Sequence, residues 1–425
     1  MNVHAPITLT VAEQALLNAF DAAAGELPGD AAVISARDRL LHAVRVEGLP
    51  TRRVEAWHYT DLRALLRSVP AADPAASAKV VAPLVEGAHV LSILDGKAST
   101  KGAPKGVSVA SYGAALTAGT SAADLAERGA DDAIGRLNGA FVKDGLAITV
   151  GSDADLSSPI EIQVAQSRGQ SHVRLPVTVE EGVTATLIER HISTDDAPSL
   201  VTAVTDLTVG KGADVTYVIV QQQGETDSHL GQIRFTIGQE AKLTLFVINA
   251  GGKLVRQEIH GVVTGEGSNL TLRAVNLMGG ETHTDVTFTM GHDVPNTTST
   301  EIIRNVLFDR ARGVFQGQIR VAPDAQKTDA KMACNTLLLS DDADLSAKPE
   351  LEIFADDVQC GHGATVADID PTQFYYLQAR GIPAPKARAL LIKAFVAEIV
   401  EELDDEPLVE ALESVIEAWL DKHSI

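Results

Sequence analysis

The sequence predicts a mainly β protein in which a central β region is flanked by helical segments. Short stretches that alternate apolar and polar residues recur between about residues 85 and 365, and each ends at Gly, Asp or Asn. Before and after that region, apolar residues recur at helical spacing. Aromatic residues make up only 4% of the chain, so aliphatic side chains must fill the core, as they do well on pleated strands.

The two ends of the chain carry the helical signals. Over residues 9–47, Thr10 and Glu13 have the spacing of a capping box, and Ser35 is a candidate cap for a second helix. Residues 68–82 are rich in Ala, Pro and Ser and are typical of a linker. Near the carboxyl terminus, Pro385–Leu403 and Leu408–Leu420 each carry an apolar stripe and are predicted to be amphipathic helices.

A weak repeat runs through the centre of the β region. Thr186, Thr216, Thr244 and Thr271 occupy equivalent positions in four similar segments, with spacings of 30, 28 and 27 residues. A nearly constant period of this size favours a β-solenoid, in which each coil stacks on the last. A β-sandwich whose hairpins share turn residues is the alternative.

Composition excludes several classes of function. The formal net charge of −22, without a basic cluster, argues against binding to nucleic acid or to an anionic membrane surface. No stretch of about 18 apolar residues predicts a membrane-spanning helix. Residues 1–20 lack the features of a signal peptide, and the two cysteines form no CxxC motif, so we expect a cytoplasmic protein.

Known catalytic motifs are also missing. The sequence contains no P-loop, no G-x-S-x-G elbow and no HExxH motif, so we expect a protein that is not an enzyme. A β-helical polysaccharide lyase would need a secretory signal and a cluster of carboxylate and basic residues in a groove. A β-solenoid adaptor without metal is a further alternative.

The densest motifs lie between Met332 and Arg380, and two others precede them. They read LLLS at 337–340, PELEI at 349–353, CGHGAT at 360–365 and FYYLQARGI at 374–382, with EAWHYT at 55–60 and RGVFQG at 312–317. This pattern resembles the SufB/SufD family of iron–sulfur cluster assembly scaffold proteins. The resemblance implies a helical domain over residues 1–82, a right-handed parallel β-helix over 83–368 and a helical domain over 369–425.

The family contains two kinds of subunit, and the motifs favour the SufD kind. SufB-type members usually carry glutamate directly after the histidine of the CGHGAT motif, where this sequence has Gly363. Cys334, however, aligns with the cysteine that SufB-type members use in cluster assembly. The alternative is therefore a SufB-like scaffold that carries the cluster itself.

The resemblance also implies the ligands and the cargo. His362 and Cys360 are two residues apart, so on a strand they share one face, and both side chains are good iron ligands. Together with Cys334 they are the predicted metal-binding residues, for iron or a nascent cluster held transiently at the boundary with SufB. The alternatives are a turn histidine bonded to backbone and buried, inert cysteines. Some members of the family also suggest a reduced flavin in the complex.

The partners expected from the resemblance are SufB, through the β-helix, and the ATPase SufC, through the carboxyl-terminal helices. The predicted SufC-docking residues are Lys386, Arg388, Leu391 and Phe395, which lie on or beside the apolar stripe of the first of these helices. Without SufB, the free flank of the β-helix can also pair with a second copy of the same chain.

Overall fold

The computed structural model describes residues 7–423, so the outermost residues of the predicted segments 1–82 and 369–425 lie outside the described part. The helices are α1 (Val11–Ala23), α2 (Ala31–Glu47), α3 (Leu62–Leu65), α4 (Tyr112–Thr117), α5 (Ala133–Phe141), α6 (Pro371–Ala379), α7 (Ala384–Val400) and α8 (Glu406–Lys422). The early strands are β1 (His89–Leu94), β2 (Lys97–Ser99), β3 (Val107–Ser111), β4 (Asp144–Val150), β5 (Ile160–Gln166), β6 (Gly169–Val179), β7 (Thr184–Ser193), β8 (Ser199–Val209) and β9 (Asp214–Gln222). The later strands are β10 (Ser228–Ile237), β11 (Lys242–Asn249), β12 (Leu254–Val263), β13 (Asn269–Met278), β14 (His283–His292), β15 (Thr298–Leu307), β16 (Arg312–Val321), β17 (Asp329–Leu338), β18 (Asp344–Ile353) and β19 (Gln359–Ala367).

The strands form a parallel β-solenoid. From β4 onward, consecutive strands alternate between two sheets, and each strand pairs in parallel with the second strand after it. The first sheet has the order β19-β17-β15-β13-β11-β9-β7-β5-β1-β2, and the second has the order β18-β16-β14-β12-β10-β8-β6-β4-β3. The predicted mainly β fold with helical flanks is therefore confirmed, and the sandwich alternative is wrong because its sheets would be antiparallel.

The threonine repeat is the register of the solenoid. Thr186 pairs with Thr216, Thr216 with Thr244 and Thr244 with Thr271, each directly opposite the other in the first sheet. Thr300 continues the column beyond the four threonines found in the sequence. In-register stacking keeps every inward position of one coil above an inward position of the previous coil, so the interior is continuous.

The interior of the solenoid, which we call the lumen, is a packed hydrophobic core. Aliphatic and aromatic side chains from both sheets fill it. Some of its polar residues are paired in a column: Asn249 donates to Asn276 at 2.7 Å, and Asn276 donates to Asn305 at 2.8 Å. The column continues from Asn305 to Thr336 at 3.0 Å. Stacking equivalent amides lets the lumen contain polar groups while most of their hydrogen bonds are made.

Helices cover the outer faces of the two sheets. The amino-terminal helices and α5 pack on β8, β10 and β12 of the second sheet, through residues that include Leu200, Leu230 and Leu254. Helices α7 and α8 pack on the first sheet, against residues that include Val218 and Phe246. Residues on both faces of the central strands are therefore buried.

The helical predictions are confirmed in part. Thr10 and Glu13 form the expected capping box at the start of α1. The second cap was predicted wrongly: α2 begins at Ala31 and is capped by Asp30, whose carboxylate accepts from the backbone N–H of Val33 at 2.9 Å. Ser35 lies inside the helix because the aspartate five residues earlier already supplies the oxygen that a helix start needs.

Residues 112–141 contain helices although they fall within the range 83–368 predicted as β core. They contain α4 and α5, and they pack in the same hydrophobic cluster as the amino-terminal helices. Helix α6 lies within the range 369–425 predicted to be helical, although only Pro385–Leu403 and Leu408–Leu420 were predicted there as individual helices. Gly381, which follows α6, has a φ of 84°, a conformation that glycine adopts without strain.

The EAWHYT loop is anchored on a buried ion-pair network on the outer face of the second sheet. The Arg256 guanidinium lies 3.8 Å from the centre of the Trp57 ring. It pairs with Glu258 at 2.9 Å and with Asp285 at 2.5 Å, and all three side chains are buried. Burial alone would raise the pKa of Glu258, but Arg256, His260 and Gln232 together outweigh it and hold that pKa well below its usual range.

The same loop reaches the last coils of the solenoid. The ammonium group of Lys348 on β18 pairs with Glu55 at 2.5 Å, and the amide of Gln316 on β16 donates to the carbonyl of Ala56 at 3.2 Å. The motif therefore has a structural role here, because it ties the amino-terminal region to strands far along the chain.

We expect replacement of Arg256 by alanine to destabilise the fold by about 3–5 kcal/mol, because Glu258 and Asp285 would stay buried without a counter-charge. The matched control is Arg310→Ala, whose pair with Glu281 is exposed and should contribute little. Urea unfolding followed by circular dichroism measures both. Equal losses in the two variants would contradict the importance of the buried network.

Candidate functional site

The carboxyl-terminal coil of the solenoid, formed by β18 and β19, is its open end. β18 pairs with β16 and β19 pairs with β17, and within residues 7–423 no strand lies on their other edges. The backbone N–H and C=O groups along such edges can pair with another chain. The CGHGAT motif lies on β19, so the fold places it at an edge that a second chain can reach.

Cys360 and His362 share one face of β19, as their spacing predicts. Cys360 lies opposite Ala330 and His362 lies opposite Met332. Because paired residues of parallel strands point the same way, both side chains face the lumen side, where Ala330 and Met332 are buried. Since no further coil covers the open end in the described chain, Cys360 is only half-buried and His362 is exposed.

The His362 imidazole makes no hydrogen bond to any other residue in the range 7–423, and it lies within a strand rather than in a turn. A shallow cleft beside it is lined by Met332, Gln359 and Cys360, among others. Burial raises the pKa of the Cys360 thiol, and the nearby charges of Asp329 and Glu301 add to the rise. A metal that binds this sulfur must therefore displace a proton at neutral pH.

Cys334 lies deeper, one coil below the open end. It is fully buried on β17 and lies opposite Ala364. The Asn305 amide donates to its sulfur at 3.3 Å, and burial raises the pKa of the thiol to about 11. Among the described residues, no three His, Cys, Asp or Glu side chains form a ready-made metal site, so the three predicted ligands are not one preassembled set.

The rim of the open end is apolar in places. Ile353, Phe354 and Val366 are 39%, 61% and 49% exposed. Exposed large apolar side chains beside unpaired strand edges are typical of a surface that another chain covers.

The predicted SufC-docking residues lie on α7, and the structure separates them into two pairs. Lys386 and Arg388 are exposed near its start. Leu391 and Phe395 are half-buried, and the Arg304 guanidinium of the solenoid lies 4.6 Å from the centre of the Phe395 ring. Phe395 therefore packs on the β core at the same time as it borders the surface.

The apolar residues that α6 and α7 expose are different ones. Tyr375, Tyr376 and Leu390 are 71%, 56% and 42% exposed, and α6 has no buried residue. Tyr375 and Tyr376 belong to the FYYLQARGI motif, and Leu390 lies in the apolar stripe predicted over Pro385–Leu403. Their exposure could not be predicted from the sequence, because spacing gives the face of a helix and not what covers that face.

Comparison with known proteins identifies the class. The family described as SUF system FeS cluster assembly, SufBD core domain, matches residues 162–395, more than half of the chain. The chain therefore belongs to the SufBD core family.

Among its relatives, the iron–sulfur cluster assembly protein SufD of Escherichia coli is 32% identical over 56% of each chain. SufD of Bacillus subtilis is 28% identical over 66% of this chain and 65% of its own. The chloroplastic protein ABCI7 of Arabidopsis thaliana is 28% identical over 63% and 58%. The chain spans less than two thirds of the length of these relatives. The prediction that it belongs with the SufD members is confirmed.

Several expectations stay predictions. The iron or cluster cargo, the reduced flavin and the cytoplasmic location are among them. No helix within residues 7–423 is long and apolar enough to cross a membrane.

We expect the native protein to react quickly with a thiol reagent at Cys360 alone, because Cys334 is buried until the chain unfolds. The raised pKa of Cys360 makes the reactive thiolate scarce at pH 7, so the rate should rise with pH up to that pKa. Iodoacetamide labelling with mass spectrometry measures this. The variant Cys360→Ser should lose the fast reaction, and rapid labelling of Cys334 in the native protein would contradict the structure.

Proposed function

We propose that the chain is a non-enzymatic scaffold subunit of the SUF iron–sulfur cluster assembly machinery, with iron or a nascent cluster as its cargo. The observation that supports this most directly is the open end of the solenoid, which carries an imidazole and a thiol on one face. In this proposal His362 is the principal iron ligand and Cys360 the second. Membership of the family supports the same role.

The proposed site is completed by a partner. Two donors from one strand leave most coordination positions of iron open, and iron–sulfur clusters are held by several thiolates or imidazoles. A SufB-type subunit that docks at the open end would supply the rest. The unpaired edges of β18 and β19 offer backbone hydrogen bonds for that docking, and the apolar rim offers side-chain contacts.

The same edges can serve a second copy of the chain when no SufB-type subunit is present. Nothing in the pairing of backbone groups distinguishes one partner strand from another, so the choice depends on side chains at the rim. We therefore propose the heterocomplex as the working form and the homodimer as a form of the isolated chain.

We propose that a SufC-type ATPase docks on the exposed surface of α6 and α7. Tyr375, Tyr376 and Leu390 supply apolar contact area there, and Lys386 and Arg388 lie beside them as positive charges on a chain that is otherwise strongly acidic. Movement of this helical pair by a bound ATPase would be transmitted to the solenoid through α7, which packs on β13 and β15. ATP can drive that movement only if it binds the moved state better.

Replacement of His362 by alanine should lower the iron and sulfide content of the reconstituted complex several-fold while the subunits still assemble, because the side chain is exposed and supports no packing. The complex with SufB- and SufC-type subunits is purified, reconstituted anaerobically and assayed for iron and sulfide. His42→Ala is the control, since His42 is exposed on α2, far along the chain from β19. A normal cluster load in the His362 variant would refute the proposed ligand.

Substitution of Tyr375 or Leu390 by aspartate should abolish capture of a SufC-type ATPase, because a charge would then have to be buried in the apolar contact. These exposed positions give a cleaner test than Phe395, where a charge would also disturb packing on the β core. Val11→Asp, at a position 79% exposed on α1, is the control. Pull-down measures capture of the ATPase, and thermal unfolding checks that each variant is folded. Capture retained by both Tyr375→Asp and Leu390→Asp would exclude this docking surface.

A further inference from the structure

Glu301 is an acidic residue inside the lumen, two coils below the open end. On β15 it lies opposite Met332 of β17, and Met332 lies opposite His362 of β19. The three residues therefore form one inward-facing column. In the adjacent inward column, Ser299 is followed by Ala330 and then by Cys360.

Among the described residues, the Glu301 carboxyl group has no ion-pair partner. It is completely buried, and neither of its oxygens has a hydrogen-bond partner among the described residues. Its neighbours along the column are the apolar Leu272 and Met332. Burial raises its pKa to about 8, and the nearby Ser299 hydroxyl and the charge of Arg273 offset only part of that rise.

The contrast with Glu189, another buried glutamate of the lumen, shows what is missing. Glu189 accepts hydrogen bonds from His191, Thr205 and Tyr217, each at 2.7 Å. A buried carboxyl that lacks such partners costs stability, so the fold alone gives no reason for an acid at position 301.

We infer that Glu301 is an inner carboxylate ligand for a divalent cation of the ferrous class, which enters the solenoid at Cys360 and His362. The inference rests on the proposed function for the assignment of iron to the open end. Carboxylate oxygen, imidazole nitrogen and thiolate sulfur together form a donor set that suits Fe²⁺. Bound cation would supply the positive charge that the Glu301 site lacks.

The site assembles when the cation enters. Because neighbouring coils are about 4.8 Å apart, Glu301 and His362 are separated by two such steps, with Met332 between them. The Met332 side chain is long and unbranched, so it can move aside without a change in the backbone. Glu301 is close enough to Cys360 for its charge to raise the pKa of that thiol. Binding releases the protons held by the thiol and the carboxyl, and the imidazole binds through a neutral nitrogen.

The test is anaerobic titration of the isolated full-length chain with Co²⁺, a spectroscopic substitute for Fe²⁺, followed by the absorption bands of bound cobalt. Glu301→Gln should weaken Co²⁺ binding at least tenfold, because it keeps the shape of the side chain and removes the anionic donor. The matched control is Asp329→Asn, which removes a charge near Cys360 from an outward-facing position and should change the affinity less than threefold.

A second variant separates ligation from folding. Glu301→Leu matches the apolar neighbours in the column, so it should unfold at a higher urea concentration than the wild type and still lose Co²⁺ affinity at least tenfold. Unchanged affinity in both Glu301 variants would overturn the inference, as would a wild-type chain that binds no Co²⁺. Neither of these two Co²⁺ results would contradict the proposed function, because that function depends on ligands from a partner subunit. It fails only if His362→Ala leaves the cluster load of the complex normal.

Discussion

In-register parallel stacking is the constraint on which the rest of this structure depends. Each coil buries its inward face and pairs its backbone edges only against the next coil. The last coil must therefore leave two strand edges and part of an inward face uncovered unless another element covers them. In this chain helices cover the outer faces of both sheets, but α6–α8 leave β18 and β19 open. The same geometry that builds the core thus creates the surface that carries His362.

The EAWHYT loop stabilises the strands that this constraint leaves at the open end. Strands at an open end lack one neighbour and are the first to fray. Glu55 pairs with Lys348 on β18, and the loop is held at Trp57 by the buried Arg256 network on β12. The amino-terminal region therefore stabilises the terminal coil on its outer side, although about 290 residues separate the two ends of that ion pair. The edge can remain unpaired and still hold its shape for a partner.

The repeating features of the structure could be predicted from the sequence. Thr186 and its equivalents revealed the coil length, and the spacing of Cys360 and His362 gave their common face, because strand geometry has a period of two. How deeply a side chain is buried could not be predicted from the period of a strand. Cys334 faces inward like Cys360 but lies under another coil. Glu301 was missed for a related reason. It was recognisable only once the register showed that its equivalents in the neighbouring coils are Leu272 and Met332.

The glycines of the solenoid strands differ in whether packing requires them. Gly145 on β4 is required by packing, since a Cβ there would collide with the backbone of Arg174. Gly361 and Gly363 are not: neither has a positive φ, and a Cβ at either position would meet no atom within 4 Å. A glutamate, the residue usual in SufB-type members, would therefore fit at position 363. Glycine there leaves the outer side of the strand without a carboxylate, so the imidazole and the thiol on the lumen side are the only metal-binding side chains between Gln359 and Ala367. The solenoid fold itself does not require glycine at positions 361 and 363.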